Sequence, residues 1–121
     1  MRSILIVNGD PATADLMSSL LTTAGYTTSI AATFEDGKAL MAVVRPQLLI
    51  ADVELGAFNG LHLIIRGRID VPRLAAILTS GAEDPSAAAE AAKHGAAYLP
   101  GPEQGAALLA LVQIALAEDV V

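Results

Sequence analysis

Pro46-Gln47-Leu48-Leu49-Ile50-Ala51-Asp52 decides how this chain is read: an apolar run with the character of a strand buried on both faces, ended by a carboxylate. Open α/β sheets place their chemistry in the crevice outside the C-terminal strand ends, which is where Asp52 falls. A strand-end or turn aspartate looks the same in isolation, so the flanking sequence has to discriminate.

Outward from that strand, short β-branched or leucine-rich runs alternate with longer segments of helical period. Strands are expected over residues 3–7, 26–31, 48–52, 74–79 and 97–99. Helices are expected from Pro11 to about Ala24, with Gly25 as the stop, and from Thr33 or Glu35 to Val44, with Pro46 closing it off. Three more follow: about 61–68 after the Asn59-Gly60 punctuation, 85–94, and Glu103 to about Glu118. Such alternation implies βαβ units and a parallel sheet. Right-handed crossovers then lead to a doubly wound (βα)5 α/β fold, a five-stranded sheet in order 2-1-3-4-5 with helices on both faces. Residues 1–121 are expected to form a single domain, without repeats or linkers.

Composition removes several function classes. Without cysteine there is no disulfide framework, thiol nucleophile or thiolate metal site. A net charge of −6 argues against nucleic-acid binding. The seven basic residues are scattered, and only Arg66, Arg68 and Arg73 hint at a cluster, which a solvated helix end explains at least as well. Although 54% of residues are hydrophobic, much of that is alanine, and no apolar stretch approaches the roughly 18 residues of a membrane span. Met1-Arg2-Ser3-Ile4 runs into a strand with no cleavage site, so a cytoplasmic location is expected. His62 and His94 match no ligand spacing; His94, just before Gly95, suits a helix C-terminus.

Three further strings have the order and spacing of a known pattern. Asp52 is followed by Val53-Glu54-Leu55-Gly56-Ala57-Phe58-Asn59-Gly60, then Ala76-Ile77-Leu78-Thr79-Ser80-Gly81, then Lys93-His94-Gly95-Ala96-Ala97-Tyr98-Leu99. Together they resemble the receiver domain of two-component response regulators, over essentially the whole chain. The resemblance implies that Asp52 corresponds to the phospho-accepting Asp, and Thr79 and Tyr98 to the switch pair. In that family an acidic pair, the acceptor Asp and a carbonyl two residues beyond it hold Mg²⁺, and a Lys pairs with the phosphoryl oxygens.

This chain departs from the pattern at two places. Asn8 and Gly9 occupy the acidic-pair positions, with Asp10 one residue too late and Pro11 fixing the helix start against a slip. Gly101 stands where the resemblance places the Lys, ahead of a matching Pro102, whose bond to Gly101 is then expected to be cis. Each unit charge about 4 Å from a cation is worth on the order of 4 kcal/mol at an effective dielectric of about 20. Losing two carboxylates therefore implies Mg²⁺ binding that is weak or absent, with no other cofactor expected. If a metal binds, its ligands would be Asp52, Glu54 and Asp10.

The leading expectation is a degenerate receiver, not an enzyme: a signalling and protein-interaction module without conventional Mg²⁺-dependent phosphorylation. Its partners would be a histidine kinase or another signalling protein. A homodimer through the helix 4–strand 5–helix 5 face is a further expectation, through Leu108, Leu111 or Val112 of the apolar last helix. An Ala-rich helix packed broadly on the sheet is the alternative. Two other functions stay open: a receiver phosphorylated on Asp52 with altered metal ligation, and a flavodoxin-like module binding a small ligand around Asn8, Asp52 and Thr79. Glu118-Asp119-Val120-Val121 directly follows the last helix, consistent with a stand-alone regulator or with one domain of a larger protein.

Overall fold

Prolines, caps and apolar runs cut the chain into ten elements: β1 (Ser3–Val7), α1 (Pro11–Thr23), β2 (Thr27–Ala31), α2 (Phe34–Val44), β3 (Leu48–Asp52), α3 (Gly60–Asp70), β4 (Ala75–Ser80), α4 (Pro85–Lys93), β5 (Ala97–Pro100) and α5 (Gly105–Ala117). The computed structural model describes residues 2–117, so the expected last turn at Glu118 and the residues after it lie outside the described part. Four helices begin on a side-chain cap: Asp10, Thr33, Asn59 and Asp84 each accept a backbone N–H of the first turn, and prolines follow Asp10 and Asp84 directly.

The strands form one parallel sheet in order β2-β1-β3-β4-β5, the doubly wound order the alternation implies. Ile4, Ile6, Leu48, Ile50 and Ile77 face α1 and α5, meeting Ala14, Met17, Leu21, Leu108, Val112 and Leu116. Leu5, Val7, Leu49, Ala51 and Leu78 face the other way, toward Met41 of α2, Leu63 and Ile64 of α3, and Ala87 and Ala91 of α4. Both faces of β3 are therefore closed, which explains its unbroken apolar run. Each large side chain buried here contributes about 1.5–3 kcal/mol of transfer free energy.

Three expectations change. Leu108 and Val112 are fully buried against the sheet, so neither is free to make a dimer contact. The apolar surplus of α5 instead packs on the sheet and α1, with Leu111 half-buried and Ile114 exposed. The described residues contain no cis peptide bond, so Gly101–Pro102 is trans. Gly101 makes the reversal through its left-handed backbone (φ 66°), and its carbonyl accepts the Gln104 N–H at 3.1 Å. That turn also delays α5 from Glu103 to Gly105.

Gly60 ties α3 to the end of β3. A Cβ at this position would lie 2.0 Å from the Asp52 carbonyl oxygen and 2.8 Å from its carbon, both backbone atoms that cannot yield cheaply. Gly60→Ala is expected to lower stability by about 2–3 kcal/mol in urea denaturation. Gly81→Ala, where a Cβ would meet nothing within 4 Å, is expected to change it by less than about 1 kcal/mol. Equal effects of the two would refute the close approach.

Candidate functional site

β3 and β4 pair so that Asp52 lies beside Thr79, and the register alone brings the two side chains together at the C-terminal edge of the sheet. The buried Thr79 hydroxyl donates to Asp52 Oδ1 at 2.7 Å. Asp52 Oδ2 accepts the Glu54 N–H at 3.1 Å, and the Val53 N–H donates to the Thr79 carbonyl at 2.8 Å. Asp52 is half-buried, and that burial, the largest influence, pushes its carboxyl above the ordinary carboxylate range. The hydrogen bonds from Thr79 and Glu54 pull it back down, and the Glu54 charge adds a smaller upward push.

A crevice of about 440 Å³ opens over Asp52, shared by Asn8, Asp10, Glu54, Asp84 and Glu103 among others. The sequence-chosen side chains Asn8, Asp10, Asp52 and Glu54 are thus gathered into one place, but they are not poised alike. Asn8 is buried at 6% exposure and its Oδ1 accepts the Asp10 N–H at 2.9 Å. Asp10 is the α1 cap: its Oδ2 takes the Thr13 N–H at 3.3 Å and the Thr13 hydroxyl at 2.5 Å. Gly9 contributes no side chain, although a Cβ there would meet only the Ala32 carbonyl oxygen, at 3.6 Å. Beyond β5, where the resemblance places a Lys, Gly101 is followed by Glu103, whose carboxylate side chain lines the crevice.

Among the described residues the lining holds six carboxylate residues, Asp10, Asp52, Glu54, Glu83, Asp84 and Glu103, and no basic residue. Even so, among the described residues no group of three or more His, Cys, Asp or Glu side chains converges in a way that could hold a metal ion. The six acids come from four strand-to-helix connections, and Asp10 and Asp52 have oxygens already engaged in hydrogen bonds. His62 is exposed on α3, while His94 caps α4, its Nε2 4.0 Å from Glu90.

Tyr98, on β5, is half-buried and its hydroxyl lies 2.6 Å from Ser80 Oγ. Ser80 gives its own proton to the Ala82 carbonyl at 2.6 Å, so Tyr98 is the donor to Ser80. The Tyr98 oxygen in turn accepts the Asp84 N–H at 2.8 Å. Ser80 and Asp84 escaped the sequence reading, although Asp84-Pro85 carries a legible cap-and-N1 signature. One hydroxyl system therefore runs from the strand after Thr79 to the start of α4. The other Phe-bearing edge is held separately: Phe34 of α2 stacks on Phe58 of the β3–α3 loop, centroids 4.6 Å apart.

Comparison with known proteins follows the same pattern. The sequence profile of the response regulator receiver domain matches residues 4–113. An uncharacterised 14.6 kDa protein from the sodA1 3' region of Leptolyngbya boryana is 30% identical over 115 residues, covering 91% of this chain and 86% of that protein. A CheY-like response regulator receiver domain protein from Methanospirillum hungatei superposes with a TM-score of 0.89 at 28% identity, over 98% of this chain and 95% of that one. A response regulator from Burkholderia pseudomallei, solved with a phosphorylated aspartic acid, a calcium ion and citrate, gives 0.84 at 23% identity, over 99% and 74%. At that lower identity the likeness is one of fold.

The raised Asp52 carboxyl sets a pH dependence. At neutral pH the folded state carries a charge that burial disfavours, and the unfolded chain does not share that penalty. Asp52→Asn is expected to raise the thermal midpoint at neutral pH, the gap closing as pH falls through the raised Asp52 pKa, where only the folded natural chain takes up the proton. A gap that widens toward acid would show that hydrogen bonding outweighs burial.

Proposed function

The chain belongs to the response regulator receiver domain family, and from that premise we propose that it is a receiver of two-component signalling that works without conventional Mg²⁺-dependent phosphorylation. In this reading it acts as a protein-interaction module. The observation that carries the reading is the charge of the Asp52 crevice, six carboxylate residues without a cation, where Asn8 and Gly9 supply no metal-binding carboxylate.

Phosphoryl transfer to a carboxylate depends on positioning and on neutralising charge on the transferring group. Here an incoming phosphoryl donor meets six carboxylate residues and, among the described residues, no cationic one, and Gly101 offers no ammonium group. A magnesium ion demands near-octahedral hard oxygen ligands. The donors present do not fit that demand: the Asn8 Oδ1 is held by Asp10, the Asp10 carboxylate caps α1, and Asp52 accepts from both Thr79 and Glu54. Mg²⁺ binding is accordingly weak or absent, and no step is assigned to it.

Thr79 is drawn onto Asp52 and Tyr98 onto Ser80 and Asp84 by bonds that need no phosphoryl group. Those bonds support a working face of α4, β5 and α5 held in one arrangement, recognised by a histidine kinase or another signalling protein. Membrane insertion has no support, since no helix among the described residues is long and apolar enough to cross a bilayer.

The test is acetyl phosphate or beryllofluoride with millimolar Mg²⁺, read by intact mass and amide NMR. The natural chain is expected to remain unchanged. Asn8→Asp/Gly9→Asp, which restores the acidic pair where Gly9 has room for a side chain, is expected to gain a Mg²⁺-dependent response that Asp52→Asn abolishes. A response in the natural chain that Asp52→Asn removes would overturn the proposal in favour of phosphorylation with altered ligation through Asp10 or Glu54.

A further inference from the structure

At the end of the sheet opposite Asp52, four of the chain's seven basic residues, Arg2, Arg45, Arg68 and Arg73, line one groove of about 680 Å³. The groove runs past the N-terminal ends of the strands, at Gln47, Ala75 and Ala97, and among the described residues its lining contains no Asp or Glu. Arg68 is not the solvated helix-end residue its sequence position suggests. It is half-buried, with Nε donating to the Leu74 carbonyl and Nη2 to the Gly95 carbonyl, both at 3.2 Å, and Nη1 donating to the His94 carbonyl. Arg45 Nη2 donates to the Asp70 carbonyl at 2.9 Å, and Arg2 Nη1 to the Leu116 carbonyl.

These bonds answer part of the arginine chemistry. In a βαβ sandwich the helices descend to this end, and their last carbonyls favour cations. Carbonyls carry no net charge, however, and none of the four guanidinium groups has an ion-pair partner among the described residues. The ion pairs among the described residues are Lys38–Glu35 and His94–Glu90, and neither involves an arginine, in a chain with 13 acidic residues. Arg73 is exposed and has no hydrogen-bond or ion-pair partner among the described residues. Arg45 is the one non-glycine among them with positive φ (48°), at a helix end where glycine would sit more easily. The arginine there sits against backbone preference, with one guanidinium hydrogen bond, to the Asp70 carbonyl, among the described residues.

We propose that this groove binds a small multivalent oxyanion, a phosphate monoester or pyrophosphate group, on Arg45 and Arg73, with Arg2 and Arg68 as fixed positive walls. The planar guanidinium fork matches two phosphate oxygens at once, which suits an anion with several oxygens over a halide. A small ligand is favoured over a long polyanion because the net charge of −6 and the acidic crevice at the other end repel an extended negative chain. This site is independent of any chemistry at Asp52.

The test is titration of the ¹⁵N-labelled full chain with inorganic pyrophosphate at constant ionic strength. Saturable shifts are expected at amides of residues 71–76 and 95–97, and not in the loop after Asp52. Arg73→Gln, which removes no hydrogen bond or ion pair among the described residues, and Arg45→Gly, which relieves the positive φ, should each fold normally by thermal melt. Each should weaken binding by about tenfold or more. Glu118→Gln/Asp119→Asn, which neutralises the nearby acids in sequence, should leave the affinity unchanged. Absence of saturation at millimolar pyrophosphate, or affinity unaltered in both arginine variants, overturns the proposal. Saturation seen only in the Glu118→Gln/Asp119→Asn chain also overturns it, giving the groove to the chain's own carboxylates.

Discussion

β3 is covered on both faces and paired on both edges, with β1 on one side and β4 on the other, and the acidic end of the molecule depends on its register. A shift of one residue would send Leu48 and Ile50 to the opposite layer and carry Asp52 away from Thr79. Close-packed side chains above and below forbid that shift. The Thr79–Asp52 hydrogen bond is thus a consequence of core packing rather than a contact made for itself. The same strand end holds α3 in place, because Gly60 lets that helix start directly against the Asp52 carbonyl.

Charge is sorted along the strand axis. Acids crowd the C-terminal strand ends, where Asp10 and Asp84 cap the incoming helices, and arginines gather where the helices end. Both placements complement the helix dipoles, so part of the sorting is structural. What the dipoles do not explain is that each end lacks counter-charges among the described residues: no cation lines the Asp52 crevice and no acid lines the arginine groove. An intact receiver pattern would place a lysine among those acids; here Gly101 makes a backbone turn instead. The missing side chain and the left-handed turn belong to one residue.

Much of this was legible before any coordinates. Apolar runs bounded by Pro11, Pro46 and Pro85 marked the alternation, and β1 and β3 match the expected ranges residue for residue. Asp52 was legible as the carboxylate ending an apolar strand, and Asn8, Asp10 and Glu54 were legible through the resemblance to receivers; all four line the crevice. Ser80 and Asp84 were not, since their link to Tyr98 spans 14 to 18 residues and depends on where β5 docks. Arg68 was misread for the same reason: its carbonyl partners at His94 and Gly95 are 26 and 27 residues away.

The amino-acid sequence by itself determined the element order, the parallel doubly wound sheet, the receiver family and the absence of an acidic pair and a lysine around Asp52. The element order and the sheet follow from periodicity and caps, which are local quantities; the family and the missing acidic pair and lysine follow from the resemblance of its motifs to those of known receivers. Only the tertiary structure decided that Leu108 and Val112 belong to the core, that Asp10 is spent on a helix cap, and that four separated arginines share one groove. Which face of α5 is buried, and which distant carbonyl a guanidinium reaches, depend on how layers dock, and docking geometry is a property of the whole packed sheet.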